Sequence, residues 1–475
     1  MLASGLVILF FVQEEILERE HPTPHEWTYM TRKYLRDAKE LKDPKDGNIQ
    51  WANSLGRARS ALMRLSDPQK DGAGLIALSD VTDPKLEDPI EFVPYDIAAK
   101  SEEWRRGYFE ALMTAAKTAE HVDGWVLDVT RNMVSPAKFV IGPSNPNPVP
   151  IPPGAAHAPL EENCVNAFPS ADRWYMKILG TKGFTDRQRI DAALEYASFM
   201  EYKGQAEAAR SLQELALNEA TKGIDATKLP YDGKTLALKE GAESPSLNLL
   251  DVLSAIANSK ARSGDITGSL PMYVSLLKAR RELSDQRPPA PRRNRPGDVS
   301  LYQRVLDFVK PPAYPSPPPD GTQPPWRSAE ERCQEASLQI YIGEILYATS
   351  SKEDGLSWTR DGVDLAEEQL RALGTGTGDG ATTKSSRKLC RECLGAGLDN
   401  WRTMVSRLAA VERSKEAAAG AGNKSGIFSF WGSTKEPESR WAAEEAVVQE
   451  RVRRTKELME DVTPPKDFIT NWFKA

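Results

Sequence analysis

The chain has 475 residues, with 62 Lys plus Arg against 68 Asp plus Glu and a formal charge of −6. That balance offers nucleic acid no basic footprint, and four cysteines with four histidines argue against a disulfide scaffold or a multi-zinc protein. What remains is a helix-rich body of about two to four domains, or one long repeat array, broken by loops rich in the chain's 34 prolines and 32 glycines.

Met1–Val12 (MLASGLVILFFV) is apolar apart from Ser4 and Gly5. Twelve helical residues reach about 18 Å, short of the ~30 Å hydrocarbon layer that about 20 residues span. No Lys or Arg precedes the run and no A-x-A-like site follows it, so a cleaved signal peptide fits poorly. Three readings stay open: the end of a membrane span that begins upstream of this gene model, a buried N-terminal helix, or an uncleaved monotopic anchor. If the run spans, Glu14, Glu15, Glu18 and Glu20 against Arg19 put the body on the side opposite the positively charged one.

Two helices are predicted between Pro24 and Leu65, the first carrying Trp27, Met30, Tyr34 and Leu35, the second Trp51, Leu55, Leu62 and Leu65. After a turn-rich passage, Ser101–Glu120 reads as a helix with Ser101 as N-cap and a stripe of Trp104, Tyr108, Leu112 and Ala115 or Ala116. Pro136–Pro169 reads as an extended proline-dense loop. The second half is helical again, interrupted by RPPAPRRNRP (287–296) and PPAYPSPPPDGTQPP (311–325). The latter favours polyproline II and serves as a stiff spacer or docks an aromatic groove. Gly374, Gly376 and Gly378 follow no strand and precede no Lys-Ser/Thr pair at phosphate-loop spacing. Continuous β patterning is almost absent, so the class is all-α. The expected blocks are 1–20 partial anchor, 21–134 helical hairpins, 135–170 proline-rich loop, 171–285 repeats, 286–328 proline-rich insert, and 329–475 further repeats with a capping helix.

Internal similarity sharpens this. In the 34-residue tetratricopeptide (TPR) hairpin, small residues at positions 8, 20 and 27 let its two helices approach. Ile190–Ala220 fits with Ala197, Ala209 and Ala216 at those positions and Gly204 at the turn. Leu250–Arg280 repeats the pattern with Ala257, Gly264 and Ser269, Tyr273 adding an aromatic, while Leu276 replaces the last small residue. Gln339–Ala366 places Gly343, Gly355 and Gly362 there, although each glycine in a helix costs about 1 kcal/mol relative to Ala. A fourth hairpin would pair Lys388–Val411 with Arg440–Asp461. The turns Gly204, Gly264 and Ser350 are not 34 residues apart, so the expected fold is an irregular TPR-like solenoid with long inserted loops. An unrelated helical bundle with alanine-rich faces is the alternative.

A solenoid leaves a concave face for a partner. Here that face would include Leu194, Tyr202, Asn258, Arg262, Tyr341, Glu344 and Tyr347. With Arg262 its only base, it lacks the paired Lys and Arg that clamp a terminal carboxylate. Tyrosines, aliphatics and carboxylates suit an extended segment bearing apolar and basic residues. Phe428, Phe430 and Trp431 stand in a Gly/Ser/Lys loop, either as an exposed partner anchor or folded back onto the repeats. The terminal FITNWF (468–473) is expected to cap the last repeat.

Cys390 and Cys393 form a CxxC that reads as helix packing, a disulfide, or a metal or redox site; no strand precedes it, against thioredoxin-type chemistry, and zinc would need two more ligands. His21 and His25 lie in a proline-rich turn, and no nucleophile-elbow, metalloprotease or kinase signature occurs. The expectation is no enzyme, no catalytic or metal residues and no cofactor.

LASGLVILFFVQEEILEREHPTPHEW, followed by irregular TPR hairpins, resembles a fungal family: the TPR-containing subunit of the mitochondrial inner-membrane i-AAA protease supercomplex. The resemblance covers nearly the whole chain and implies one span near the N-terminus and a body in the intermembrane space. It also implies an adaptor that binds the membrane AAA protease and helps present unfolded or membrane-protein substrates. The chain departs from the family by lacking a presequence and a full span. A scaffold that assembles or stabilises another complex is the alternative function.

Overall fold

A computed structural model describes residues 13–44, 47–78, 91–151, 157–241, 243–287, 313–375, 380–422 and 440–459. Helices dominate, and the strands among these residues are two or three residues long. The chain divides into two compact units, Met1–Lys222 with Arg292–Asp320, and Gly223–Pro291 with Gly321–Ala475. The division falls inside the expected 171–285 block. The apolar run 1–12, the aromatic loop at 427–431 and the terminal 468–473 lie outside the described residues. No helix among the described residues is long and apolar enough to cross a membrane.

The first unit begins with α1 (13–20), α2 (Tyr29–Lys42) and α3 (Trp51–Ser66). Glu14 and Glu18 of α1 are buried against α2. Arg36 Nη2 donates to Glu14 at 2.7 Å and its Nη1 to Glu18, while Lys33 reaches Glu14 at 2.5 Å and Arg32 reaches Glu18 at 3.1 Å. Burial alone would raise the Glu18 pKa, but hydrogen bonds from Thr23 and the charges of Arg32 and Arg36 outweigh it and hold it below the usual range. A buried network of this kind is costly to form and more costly to break on one side, so it pins α1 in one place.

Strands β1 (Ile76–Ala77) and β2 (Tyr95–Asp96) pair before α4 (Glu102–His121). Ser101 caps α4 by accepting from Trp104 N at 3.0 Å, with Glu102 and Glu103 in the first turn. Its stripe of Trp104, Tyr108, Leu112, Ala115 and Ala116 is fully buried, and Gly107 lets Pro24 and Trp27 lie directly on the helix backbone. Next come α5 (Ala171–Gly180), α6 (Asp186–Tyr202) and α7 (Ala206–Ala220). A capping box of Thr185 and Gln188 starts α6. Gly204, at φ +74°, makes the turn into α7, a conformation that favours glycine.

The stretch expected as an extended loop, Pro136–Pro169, contributes one strand to a small sheet whose other two strands come before it. β3 (Val126–Asp128) is the centre of an antiparallel sheet with β4 (Met133–Ser135) and β5 (Cys164–Asn166) on either side. Each strand is too short to show a two-residue period, and β5 comes nearly thirty residues after β4. Nothing local could announce their pairing. The second proline-rich segment also docks: Tyr314 lies under Arg106 of α4, the guanidinium 4.4 Å from the ring, and Pro315 O accepts from Arg106.

The second unit contains α8 (Leu247–Arg262) and α9 (Ile266–Arg281), then α10 (Ala329–Thr349), α11 (Lys352–Thr375), α12 (Gly380–Gly422) and α13 (Arg440–Met459). Gly264, at φ +86°, turns α8 into α9. Antiparallel α10 and α11 meet with almost no side chain between them. A Cβ on Gly343 would stand 2.7 Å from Gly355 O, one on Gly355 would stand 2.6 Å from Gly343 O, and one on Gly362 would stand 2.9 Å from Ala336 O.

In the first unit Lys177 is 1% exposed, donates to Glu91 O at 2.6 Å and lies over the rings of Tyr95 and Tyr108. Burial pushes its pKa down to about 7, whereas an unfolded lysine titrates near 10.4. Between these values the unfolded chain holds a proton that the native chain has released, so stability rises with pH. Urea titrations from pH 7 to 10 should show this rise in the native chain and a flatter profile in Lys177→Met. Glycine substitutions should split by environment. Gly343→Ala should destabilise by about 1–3 kcal/mol through overpacking. Gly56→Ala, in α3 with nothing within 4 Å of the new Cβ, should stabilise by about 0.5–1 kcal/mol. Thermal melts of both variants check the difference in sign.

Candidate functional site

The second unit places four of the expected concave-face residues in one cluster. Asn258, one turn before the end of α8, accepts from Tyr273 of α9 at 2.8 Å. The Tyr273 ring lies 5.6 Å from that of Tyr341 on α10, tilted by 37°. Glu344, one turn on from Tyr341, accepts from Asn400 of α12. Arg262 is exposed at the last turn of α8 and acts electrostatically on both Tyr273 and Tyr341. Tyr347 continues the α10 face, its hydroxyl donating to Met404 O of α12 at 3.0 Å. Leu194 and Tyr202 belong to α6 of the first unit; Leu194 is half-buried, and Tyr202 is 87% exposed.

The face is built on a parallel seam between α10 and α12. Cys333 meets Cys390, Ser337 meets Cys393, Ile340 meets Gly397, Glu344 meets Asn400, and Tyr347 meets the backbone at Met404. Partners are always 56 or 57 residues apart, so the two helices run in the same direction in fixed register. Along α10 these positions step by four and three alternately, the spacing that keeps one stripe facing a neighbouring helix. Gly397 makes room for the approach: a Cβ there would be 2.7 Å from Val363 of α11 and 2.8 Å from Ile340.

The CxxC resolves along this seam. Cys390 is joined to Cys333 by a disulfide, and Cys393, one turn later, is a buried thiol. Burial lifts the Cys393 pKa to about 11, so it is a poor nucleophile at neutral pH. Cys333 carried no sequence motif; only the pairing of α10 with α12 brings it to Cys390. Among the described residues no group of three His, Cys, Asp or Glu could hold a metal ion. His21 contacts Glu40 at 3.4 Å, and His121 stacks on Trp51 with ring centres 3.7 Å apart.

The small residues singled out by the sequence occupy helix contacts and turns. Ala197, Ala209, Ala216, Ala257 and Ser269 are at most 2% exposed, while Gly204 and Gly264 are open at the hairpin turns. No protein-family model, no curated protein and no solved structure matches the chain.

Chemically, the cluster offers the partly exposed Tyr341 ring, backed by the buried Tyr273, with an amide and one carboxylate. Burial raises the Glu344 pKa, only partly offset by the Asn400 hydrogen bond. A half-buried carboxylate with a single amide donor gains most from a cationic partner. The Tyr341 ring suits the aliphatic stem of lysine or arginine, or an apolar neighbour. Asn400 and Tyr273 complete the cluster. Tyr273 was legible as a repeat aromatic, whereas Asn400 sits on α12 with no sequence signal linking it to Glu344.

The disulfide closes a loop of 57 residues, and the chain-entropy relation sets its contribution at about 4 kcal/mol. Cys333→Ser/Cys390→Ser should lower the urea midpoint of the full chain accordingly. Adding dithiothreitol to the native chain should reproduce the loss and leave the double variant unchanged.

Proposed function

We propose that the chain is a non-enzymatic TPR adaptor held to the mitochondrial inner membrane by its N-terminal segment. Its body lies in the intermembrane space, binds a membrane AAA protease and helps recruit or present unfolded or membrane-protein substrates. The observation that supports this reading is the face of Tyr341, Glu344 and Asn400, backed by the buried Tyr273, together with a sequence spacing of small residues that resembles TPR hairpins. Such a face recognises extended segments with apolar and basic side chains and offers no paired nucleophile and base. The resemblance of residues 2–27 to the fungal protease subunit supplies the protease and the compartment. The Cys333–Cys390 disulfide supports a body outside the reducing cytosol. Tethering makes a weak groove sufficient, because it raises the effective concentration of bound substrate beside the protease.

Three experiments test this reading. Tagged full-length protein from detergent-solubilised mitochondrial membranes should co-purify an AAA protease; an eluate without one would count decisively against the adaptor. Tyr341→Ala should slow turnover of protease substrates about tenfold, the cost of about 1.4 kcal/mol at a central contact, while leaving protease co-purification intact. If the chain is instead a scaffold for another complex, the same variant would change assembly and not turnover. Binding of an unfolded basic probe, reduced and carboxamidomethylated lysozyme, should weaken with falling pH as Glu344 takes up a proton. Because burial raises that pKa, the loss should begin above the range of a solvent carboxylate, and Glu344→Gln should remove it.

A further inference from the structure

The chain enters the described body beside a group of exposed apolar side chains. Gln13 is the first described residue, and Glu14, next to it, is held by Lys33 and Arg36 of α2. Tyr29, in the first turn of α2, faces that same group, with Arg36 5.9 Å from its ring. It is 45% exposed, and Met30 beside it is 39% exposed. The first turn of α2 is tied to the last turn of α3: Arg64 donates to Thr28 at 3.0 Å and to Thr31 at 2.9 Å. Met63, the neighbour of Arg64, is 63% exposed. The turn after α3 folds back against that last turn, with Gly72 over Leu65 O, and leads to Ile76, which is 65% exposed. One end of the α2–α3 pair therefore presents Tyr29, Met30, Met63 and Ile76, with the α1 attachment alongside.

We propose that this end of the first unit rests on the surface of the lipid bilayer that receives the N-terminal apolar run. The inference rests on the anchor in the reading above and adds which face of the body touches lipid. Two observations choose lipid as the occupant. The mostly apolar run Met1–Val12 leads directly into α1, whose buried carboxylates leave no free spacer between Gln13 and the body. The neighbouring charges of Arg32, Lys33 and Arg36 are already matched by Glu14, Glu18 and Asp37. The patch therefore needs no anionic headgroup, and Tyr29 and the two methionines are suited to the apolar–aqueous boundary. Ile49 provides an internal reference. It is 43% exposed between α2 and α3, at the opposite end of a helix about 21 Å long.

The test uses the full chain carrying Cys164→Ser, with an environment-sensitive nitrobenzoxadiazole label on Met63→Cys or on Ile49→Cys. Cys333 and Cys390 are bonded and Cys393 is buried, so labelling is confined to the introduced thiol. Each protein is mixed with neutral phosphatidylcholine vesicles, with and without lipid bearing a doxyl quencher. The expected result is co-flotation of both proteins, with a blue shift, a severalfold rise in emission and doxyl quenching at position 63 and none at 49. Co-flotation with both labels in water would overturn the docked face while keeping the anchor. Response at both positions would mean general adhesion and would also overturn it. Failure of the full chain to float would overturn the anchor and this inference together.

Discussion

Close approach of paired helices is the constraint on which the second unit rests. Between α10 and α11 the backbones come so near that Gly343 and Gly355 face each other's carbonyl oxygens, and Gly362 sits over Ala336 O. No larger residue fits without moving a helix. That intimacy sets where α10 presents its other faces, and therefore where α12 can lie. The third helix is then fixed in register by contacts from the Cys333–Cys390 disulfide to the Tyr347 hydroxyl. Glycine's intrinsic penalty in a helix, about 1 kcal/mol each, is offset by packing that only glycine permits.

The candidate binding face is a product of that packing. Glu344 would be an ordinary surface carboxylate on an isolated helix. Held between α12 and the tyrosines of α9 and α10, it is partly dehydrated and shares one amide donor. The same burial acts on Cys393 and Lys177, pushing the thiol up and the ammonium down. One physical cause, removal of water from an ionisable group, gives three residues in two units properties that their neighbours in sequence do not foretell. The proline-rich segment behaves similarly: Tyr314 has a partner because Arg106 emerges on a distant helix, not because its own sequence selects one.

Much of the fold was legible because helix signals are local. Ser101 before two glutamates, the three- and four-residue stripe of α4, and Gly204 and Gly264 between two helical patterns mark their elements without reference to anything distant. Of the candidate face, Asn258, Arg262, Tyr341, Glu344 and Tyr347 could be placed on one side of their helices by periodicity. Asn400 could not, because its role depends on an offset of 56 residues between α10 and α12. The sheet of β3, β4 and β5 was missed for a related reason: three-residue strands have no period to read.

By itself, then, the sequence determined which segments are helical, where their turns fall and which positions must stay small, since these follow from backbone preference and side-chain size within one or two turns. The tertiary structure alone decided that Cys390 bonds to Cys333 and not to Cys393, and that Glu344 meets Asn400. It alone decided that the charges around Glu14 and Glu18 pin α1 to α2. These are pairings across long stretches of chain. Their energies come from burial and geometry that exist only after the helices have assembled.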